Sequence, residues 1–186
     1  MAIIPDEKDW TWILDRPCPE CLFDVTALNL ELMPVLVRDL SRAWQQVLLS
    51  PTVAVRPSPD TWSPLEYACH VRDVFSLFAT RLSAMIETDG AKFLNWDQDQ
   101  AAIEGNYADQ DPTEVSSGLG EAGEQLALQF SRVSGSLWDH RGLRSNGSEF
   151  TIRTFAQYFA HDPIHHLVDV ASPDASTFTH GRPNHS

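Results

Sequence analysis

Apolar residues recur at three- and four-residue steps in four separated stretches, a spacing that predicts four amphipathic helices. In the first, from about Asp24 to Leu49, the stripe is Leu28, Leu32, Val35, Leu36, Leu40, Ala43, Val47 and Leu48. Asp24 reads as its N-cap, Pro34 as a bend or the end of its first part, and Ser50 with Pro51 as its stop. The second has the strongest start signal in the chain: Ser63 as N-cap, Pro64 at the first helical position and Glu66 at the third, a capping box. It is predicted to run to about Thr88, with Val71, Val74, Phe75, Phe78, Leu82 and Met85 on one face and Gly90 ending it. The third is predicted from about Pro112 to Trp138, capped by Asp111, with Val115, Leu119, Ala122, Leu126, Phe130, Val133 and Leu137 inward. Gly118, Gly120 and Gly123 weaken it, each by about 1 kcal/mol relative to Ala at an exposed interior position. After a Gly- and Ser-containing turn from Gly142 to Ser148, the fourth is predicted from about Thr151 to Ala171.

The links are short after the first and third helices and long after the second. Residues 91–110 are polar, with isolated Phe93, Trp96 and Tyr107 and no sustained period, which suggests a crossover or a lid. The expected fold is all-α: a four-helix bundle with the long crossover between helices 2 and 3. Thr52 to Val55 reads as a short extended piece, too isolated to make a sheet. Residues 1–23 are expected to form an N-terminal arm, with Trp10 to Phe23 irregular and packed across the bundle, residues 24–171 the bundle, and residues 172–186 a flexible tail.

Composition narrows the function classes. The 186 residues carry 13 Lys and Arg against 26 Asp and Glu, a formal charge of −13. No basic cluster exceeds a neighbouring pair, so neither a nucleic-acid backbone nor an anionic membrane surface is an expected partner. Apolar runs stop well short of the roughly 18 residues of a membrane span. Met1 to Asp9, with Pro5 and four charged residues, lacks the basic start and apolar middle of a signal peptide, and a soluble, cytoplasmic protein is expected. The expected partners are a small-molecule substrate and, at most, a second copy in a homodimer. Three cysteines, Cys18, Cys21 and Cys69, are too few for a disulfide scaffold.

The candidate chemistry lies in histidines. His161 and His165 are four residues apart in the fourth helix, so they share a face one turn apart and can chelate one metal. His166 points about 100° away from His165, a poor co-ligand better placed in an outer shell or on the helix surface. His70, at the edge of the apolar face of the second helix, is the natural third ligand. Three imidazoles leave a coordination position open, as in catalytic sites, where bound water or a thiolate is activated. The bland alternative is a chance histidine pair. Pro163 bears on the choice: a new helix capped by Asp162 would separate His161 from His165, whereas a kinked continuous helix keeps them together.

Cys18, Pro19, Glu20 and Cys21 form a CxxC, which can be half a zinc site or a redox pair. A complete zinc site would have to borrow His140, His180 or His185, so the preferred reading is two thiols packed on the arm. Cys69 reads as a small core residue. Asp73, Asp162 and Asp169 are candidates for orienting the histidines, with solvated carboxylates as the commoner outcome. Trp62, Trp96, Trp138, Tyr67 and Tyr158 line a cleft or simply fill core.

Two stretches carry a family resemblance. Trp62 to His70 (WSPLEYACH) resembles the start of the second helix of DinB-like proteins, and His161 to Val170 (HDPIHHLVDV) resembles their fourth-helix motif. The likeness spans roughly Asp24 to Val170, and Asp9 to Asp24 looks like actinobacterial members. It implies an up-down-down-up bundle and places the family's metal ligands on His70, His161 and His165. Relatives include metal-dependent transferases that use mycothiol or bacillithiol, and proteins described as hydrolases. The maleylpyruvate isomerases among them carry a further C-terminal domain that this sequence does not show, so that specific activity is not expected. The implied function is a zinc-, nickel- or iron-dependent enzyme that activates a low-molecular-weight thiol, such as mycothiol, or water. The rival readings are a non-catalytic metal-binding bundle acting as a binding or stress-related module, and a redox or zinc protein centred on Cys18 and Cys21.

Overall fold

Ser63 Oγ accepts the Glu66 backbone N–H at 3.3 Å, and the Glu66 carboxylate accepts the Ser63 N–H at 2.8 Å. This reciprocal cap starts helix α2, Pro64–Glu87, where the sequence predicts it. The Arg56 guanidinium binds the same carboxylate, which is almost fully buried. The computed structural model describes residues 10–172 and 174–179. The expectations for Met1 to Asp9 and for the tail at residues 173 and 180–186 lie outside the described residues.

Helix α1 spans Met33–Val47, starting nine residues later than expected. Asp24 and Asn29 each turn a side-chain oxygen onto the N–H two residues ahead, at 2.9 and 3.1 Å. That local bond competes with helix, and two short 3₁₀ turns, Val25–Ala27 and Leu30–Leu32, result. Pro34 then marks the first turn of α1 rather than a bend inside it.

The 88–111 connection is not structureless. It holds strand β1 (Ala91–Phe93), helix α3 (Gln98–Glu104) and a 3₁₀ turn at Tyr107–Asp109. Helix α4, Pro112–Ser131, begins at the expected Asp111 cap and ends seven residues early, ahead of Gly135, which takes a positive φ of 56°. Gly123 has a packing role: a Cβ there would lie 2.8 Å from the Ser41 Cβ of α1, so glycine sets the approach of α4 to α1.

Strands β2 (Arg141–Arg144) and β3 (Glu149–Thr151) form a hairpin where a bare turn is expected. β1 pairs parallel to β2, Ala91 opposite Gly142, and β3 pairs antiparallel, Gly142 opposite Phe150. Three- and four-residue strands are too short to show alternation, so the all-α expectation missed this sheet. Thr52 to Val55 forms turns rather than extended chain.

Helix α5, Ile152–Asp169, runs unbroken through Pro163, and α6, Ala175–Thr179, follows. The molecule is mostly helical, with six α-helices and one three-stranded sheet among the described residues. α4 packs on α1 and α2, and α5 packs on the same two helices. Their shared core is built around Trp44, Phe75, Phe130, Phe155 and Phe159, all fully buried. The arm, including a 3₁₀ turn at Trp10–Leu14, lies against α5. Among the described residues no helix is long and apolar enough to cross a membrane.

Candidate functional site

Helix α5 carries two pairs at i,i+4 spacing, interleaved by one residue: His161 with His165, and Asp162 with His166. One residue is about 100° of helical rotation, so the pairs point to different sides of the same turn. Pro163 leaves that turn helical. Its own carbonyl accepts the buried Trp44 indole N–H at 3.1 Å, which ties the turn to α1.

On one side, His70 from α2 meets Asp162 and His166, and one donor atom from each lies within 4.8 Å of the others. His70 Nε2 is 3.4 Å from an Asp162 oxygen, and the His70 and His166 rings are 5.1 Å apart, nearly perpendicular. His70 Nδ1 and Asp162 Oδ1 are buried without a hydrogen-bond partner, which is costly unless a further group satisfies them. Burial alone pushes the Asp162 carboxyl up. The His70 imidazole outweighs it, with His166 and His161 adding, and holds that carboxyl well below the usual range. His166 Nδ1 contacts the Asp169 carboxylate at 2.7 Å, which orients the ring. Trp62 and Trp96 pack on His70 with centroids 5.5 and 5.6 Å away. The long crossover therefore contributes Trp96 to the site.

On the other side, Cys18, Cys21, His161 and His165 form a second group within the same 4.8 Å limit, all four buried. Burial, aided by the neighbouring His165, lowers the His161 pKa to about 4, and burial also lowers that of His165. Burial raises the Cys21 thiol to about 12. Trp10 covers both rings, 5.2 Å from His161 and 5.0 Å from His165.

The set expected from sequence, His70, His161 and His165, is divided between these two groups. His166 belongs beside His70 rather than on the helix surface. Cys18 and Cys21 gather with His161 and His165, not with His140, whose Nδ1 is 2.9 Å from the Met85 carbonyl. His180 and His185 lie outside the described residues. Asp73 accepts from the Tyr107 hydroxyl and from Arg72 Nε rather than orienting His70. Cys69 is buried, its thiol pushed up to about 12 by burial, in line with a core residue. The signal for the divided arrangement was present, since Asp162 to His166 has the same spacing as His161 to His165.

One cavity of about 980 Å³ is lined by Asp162 and His166 of the first group and by His161 and His165 of the second. Trp62 and Trp96 line it, and Arg144 and Tyr158 stand on its wall. Trp138 does not line this cavity. An acidic oxygen, imidazoles, a cation and aromatic faces around one volume suit a small polar molecule next to a divalent ion.

Neither a curated protein nor a solved structure matches the chain at a significant level. The family model of the DinB superfamily matches residues 36–169, a span that takes in His70 and the whole of the His161 to His166 turn. The chain belongs to the DinB superfamily.

Proposed function

We propose that the chain is a metal-dependent enzyme of the DinB type, transferring a low-molecular-weight thiol such as mycothiol to a small electrophile or hydrolysing a small molecule with water. His70, Asp162 and His166 are the residues that would hold the divalent cation. The observation carrying this reading is their convergence within 4.8 Å, with Asp162 and His166 on the cavity wall and His70 Nδ1 and Asp162 Oδ1 buried without a hydrogen-bond partner. Two imidazoles and one carboxylate suit zinc, nickel or iron(II) and leave positions free for substrate. Bound there, such an ion supplies Lewis acidity that lowers the pKa of an adjacent thiol or water.

The chain's own groups do the rest. Asp162 brings the negative charge, and Asp169 fixes the orientation of the His166 ring. Trp62 and Trp96 pack against the His70 ring and help fix its orientation. Arg144, whose guanidinium lies over Phe150 and Tyr158, offers a fixed cation on the cavity wall for a substrate carboxylate. The four long helices α1, α2, α4 and α5 are read as an up-down-down-up bundle, with residues 88–111 as its crossover.

The test is a thiol-conjugation and ester-hydrolysis screen of the full chain loaded with zinc, nickel or iron(II), beside His166→Ala and His161→Ala. Turnover lost with His166→Ala and retained with His161→Ala supports this ligand set. The reverse supports the rival set of His70, His161 and His165. Metal bound at the cluster with no turnover for any ion and substrate favours a non-catalytic binding module.

A further inference from the structure

We infer that Cys18, Cys21, His161 and His165 form a closed structural zinc site, separate from the proposed reaction centre, that clamps the N-terminal arm onto helix α5. Four donors of the two kinds zinc prefers converge from positions as much as 147 residues apart, and all are buried. The spacing fits. With Zn–S near 2.3 Å and Zn–N near 2.0 Å, a tetrahedral S-to-N edge is about 3.5 Å, and Cys18 Sγ lies 3.7 Å from His165 Nδ1.

The surroundings of the imidazoles fit as well. His161 Nε2 is buried with no hydrogen-bond partner. His165 turns Nδ1 toward the thiols while its Nε2 faces carboxylates, Glu20 at 3.6 Å and Asp169 at 3.7 Å. A carboxylate behind the non-ligating nitrogen is the usual outer shell of a metal-bound histidine.

The backbone supplies an independent sign. Leu22, directly after Cys21, has φ 63°, a left-handed conformation that costs a branched residue on the order of 1 kcal/mol. It closes a tight loop in which the Leu22 N–H donates to the Cys18 carbonyl at 2.8 Å and the Cys18 N–H donates to the Phe23 carbonyl at 3.0 Å. That loop sets both thiols in the one group of donors with the two imidazoles.

Charge permits two centres on one helical turn. Two thiolates cancel the charge of a divalent ion, so the Cys₂His₂ centre adds no net cation beside Asp162 and His166. The thiols also precede the matched family span, which begins at residue 36, so the clamp is an addition particular to the arm.

Cobalt(II) titrated into the reduced, metal-free full chain tests this. The expected result is a near-ultraviolet thiolate-to-cobalt charge-transfer band that saturates at one equivalent and is displaced by zinc. It should vanish in Cys18→Ser and Cys21→Ser and persist in His70→Ala and Asp162→Ala. Absence of the band in the wild type, where folding is not in question, overturns the site, as does a band unaffected by Cys18→Ser. If the band behaves as expected while His166→Ala leaves turnover unchanged, the clamp stands and the proposed reaction centre falls.

Discussion

His165 and His166 are adjacent in the chain, yet their rings, 5.8 Å apart and nearly perpendicular, enter two different donor groups. One carboxylate stands behind both: Asp169 is 2.7 Å from His166 Nδ1 and 3.7 Å from His165 Nε2. Burial works against its charge, but the two imidazoles prevail and hold the Asp169 carboxyl below its ordinary range.

Asp162→Asn keeps the side-chain shape and removes its charge. Metal affinity at the His70 group is expected to fall by more than about 10- to 100-fold, the loss typical of removing a group that only supports a ligand. Binding that depends on Cys18 and Cys21 should be unchanged. Isothermal titration with zinc on the full chain reads both events, and an equal loss at both would contradict the separation.

The capping carboxylate of α2 gives a pH signature. Burial opposes its ionisation, but the Arg56 hydrogen bond, with those of Ser63, outweighs burial and lowers the Glu66 pKa. A lowered folded-state value stabilises the native state above the ordinary carboxylate pKa of about 4.3 and loses that stabilisation as pH falls through the folded value. Glu66→Gln is expected to cost about 1 to 3 kcal/mol at neutral pH, because it weakens the charge-assisted hydrogen bonds to Arg56 and Ser63, and the Arg56 head is part-exposed to solvent. In urea denaturation at a series of pH values, the gap between wild type and variant should close on the acid side only.

Gly123 and Gly120 separate helix propensity from packing. Both occupy α4, and Ala is favoured over Gly by about 1 kcal/mol on propensity. At 123 the added Cβ meets Ser41, whose hydroxyl donates to the Leu119 carbonyl at 3.0 Å, so Gly123→Ala is expected to destabilise by about 1 to 3 kcal/mol. At 120 it meets only the amide end of Gln45, 3.2 Å away, which donates to the Ser116 carbonyl at 2.9 Å and has to give by a few tenths of an ångström, so Gly120→Ala should be close to neutral and less costly than Gly123→Ala. Thermal melts of the two variants decide it.

Cys69 should be inert in the native protein. It is buried, and its raised pKa of about 12 leaves almost no thiolate at pH 8. Iodoacetamide labelling followed by peptide mass analysis is expected to modify Cys69 only after denaturation. Rapid native labelling would show that the α2 packing opens.

Much of the helical frame was legible because its signals are local. The Ser63 and Glu66 cap and the Asp111 cap are read from neighbouring letters, and the structure starts both helices there. The start of α1 was misread because Asp24 looks like a helix cap, whereas its side chain makes a two-residue turn instead. The sheet depends on β1 meeting β2 across some fifty residues, a pairing no short window contains. At the site, His70, His161 and His165 were visible as chemistry, but their grouping was not. The arm's approach to α5 decides which face of that helix meets sulfur and which meets α2.

Because both donor pairs share a single turn of α5, that turn has no tolerance for a change in length. Loss of one residue at Ile164 would bring His166 into the place of His165, four residues from His161, and strand Asp162, whereas gain of one would bring His165 into the place of His166 and strand His161. Substitution can alter either cluster and leave the other as it is, whereas an insertion or deletion there exchanges a histidine between them and breaks one. The stretch is thus a single heritable unit, in which the arm's anchorage and the cavity's chemistry are set by the same frame.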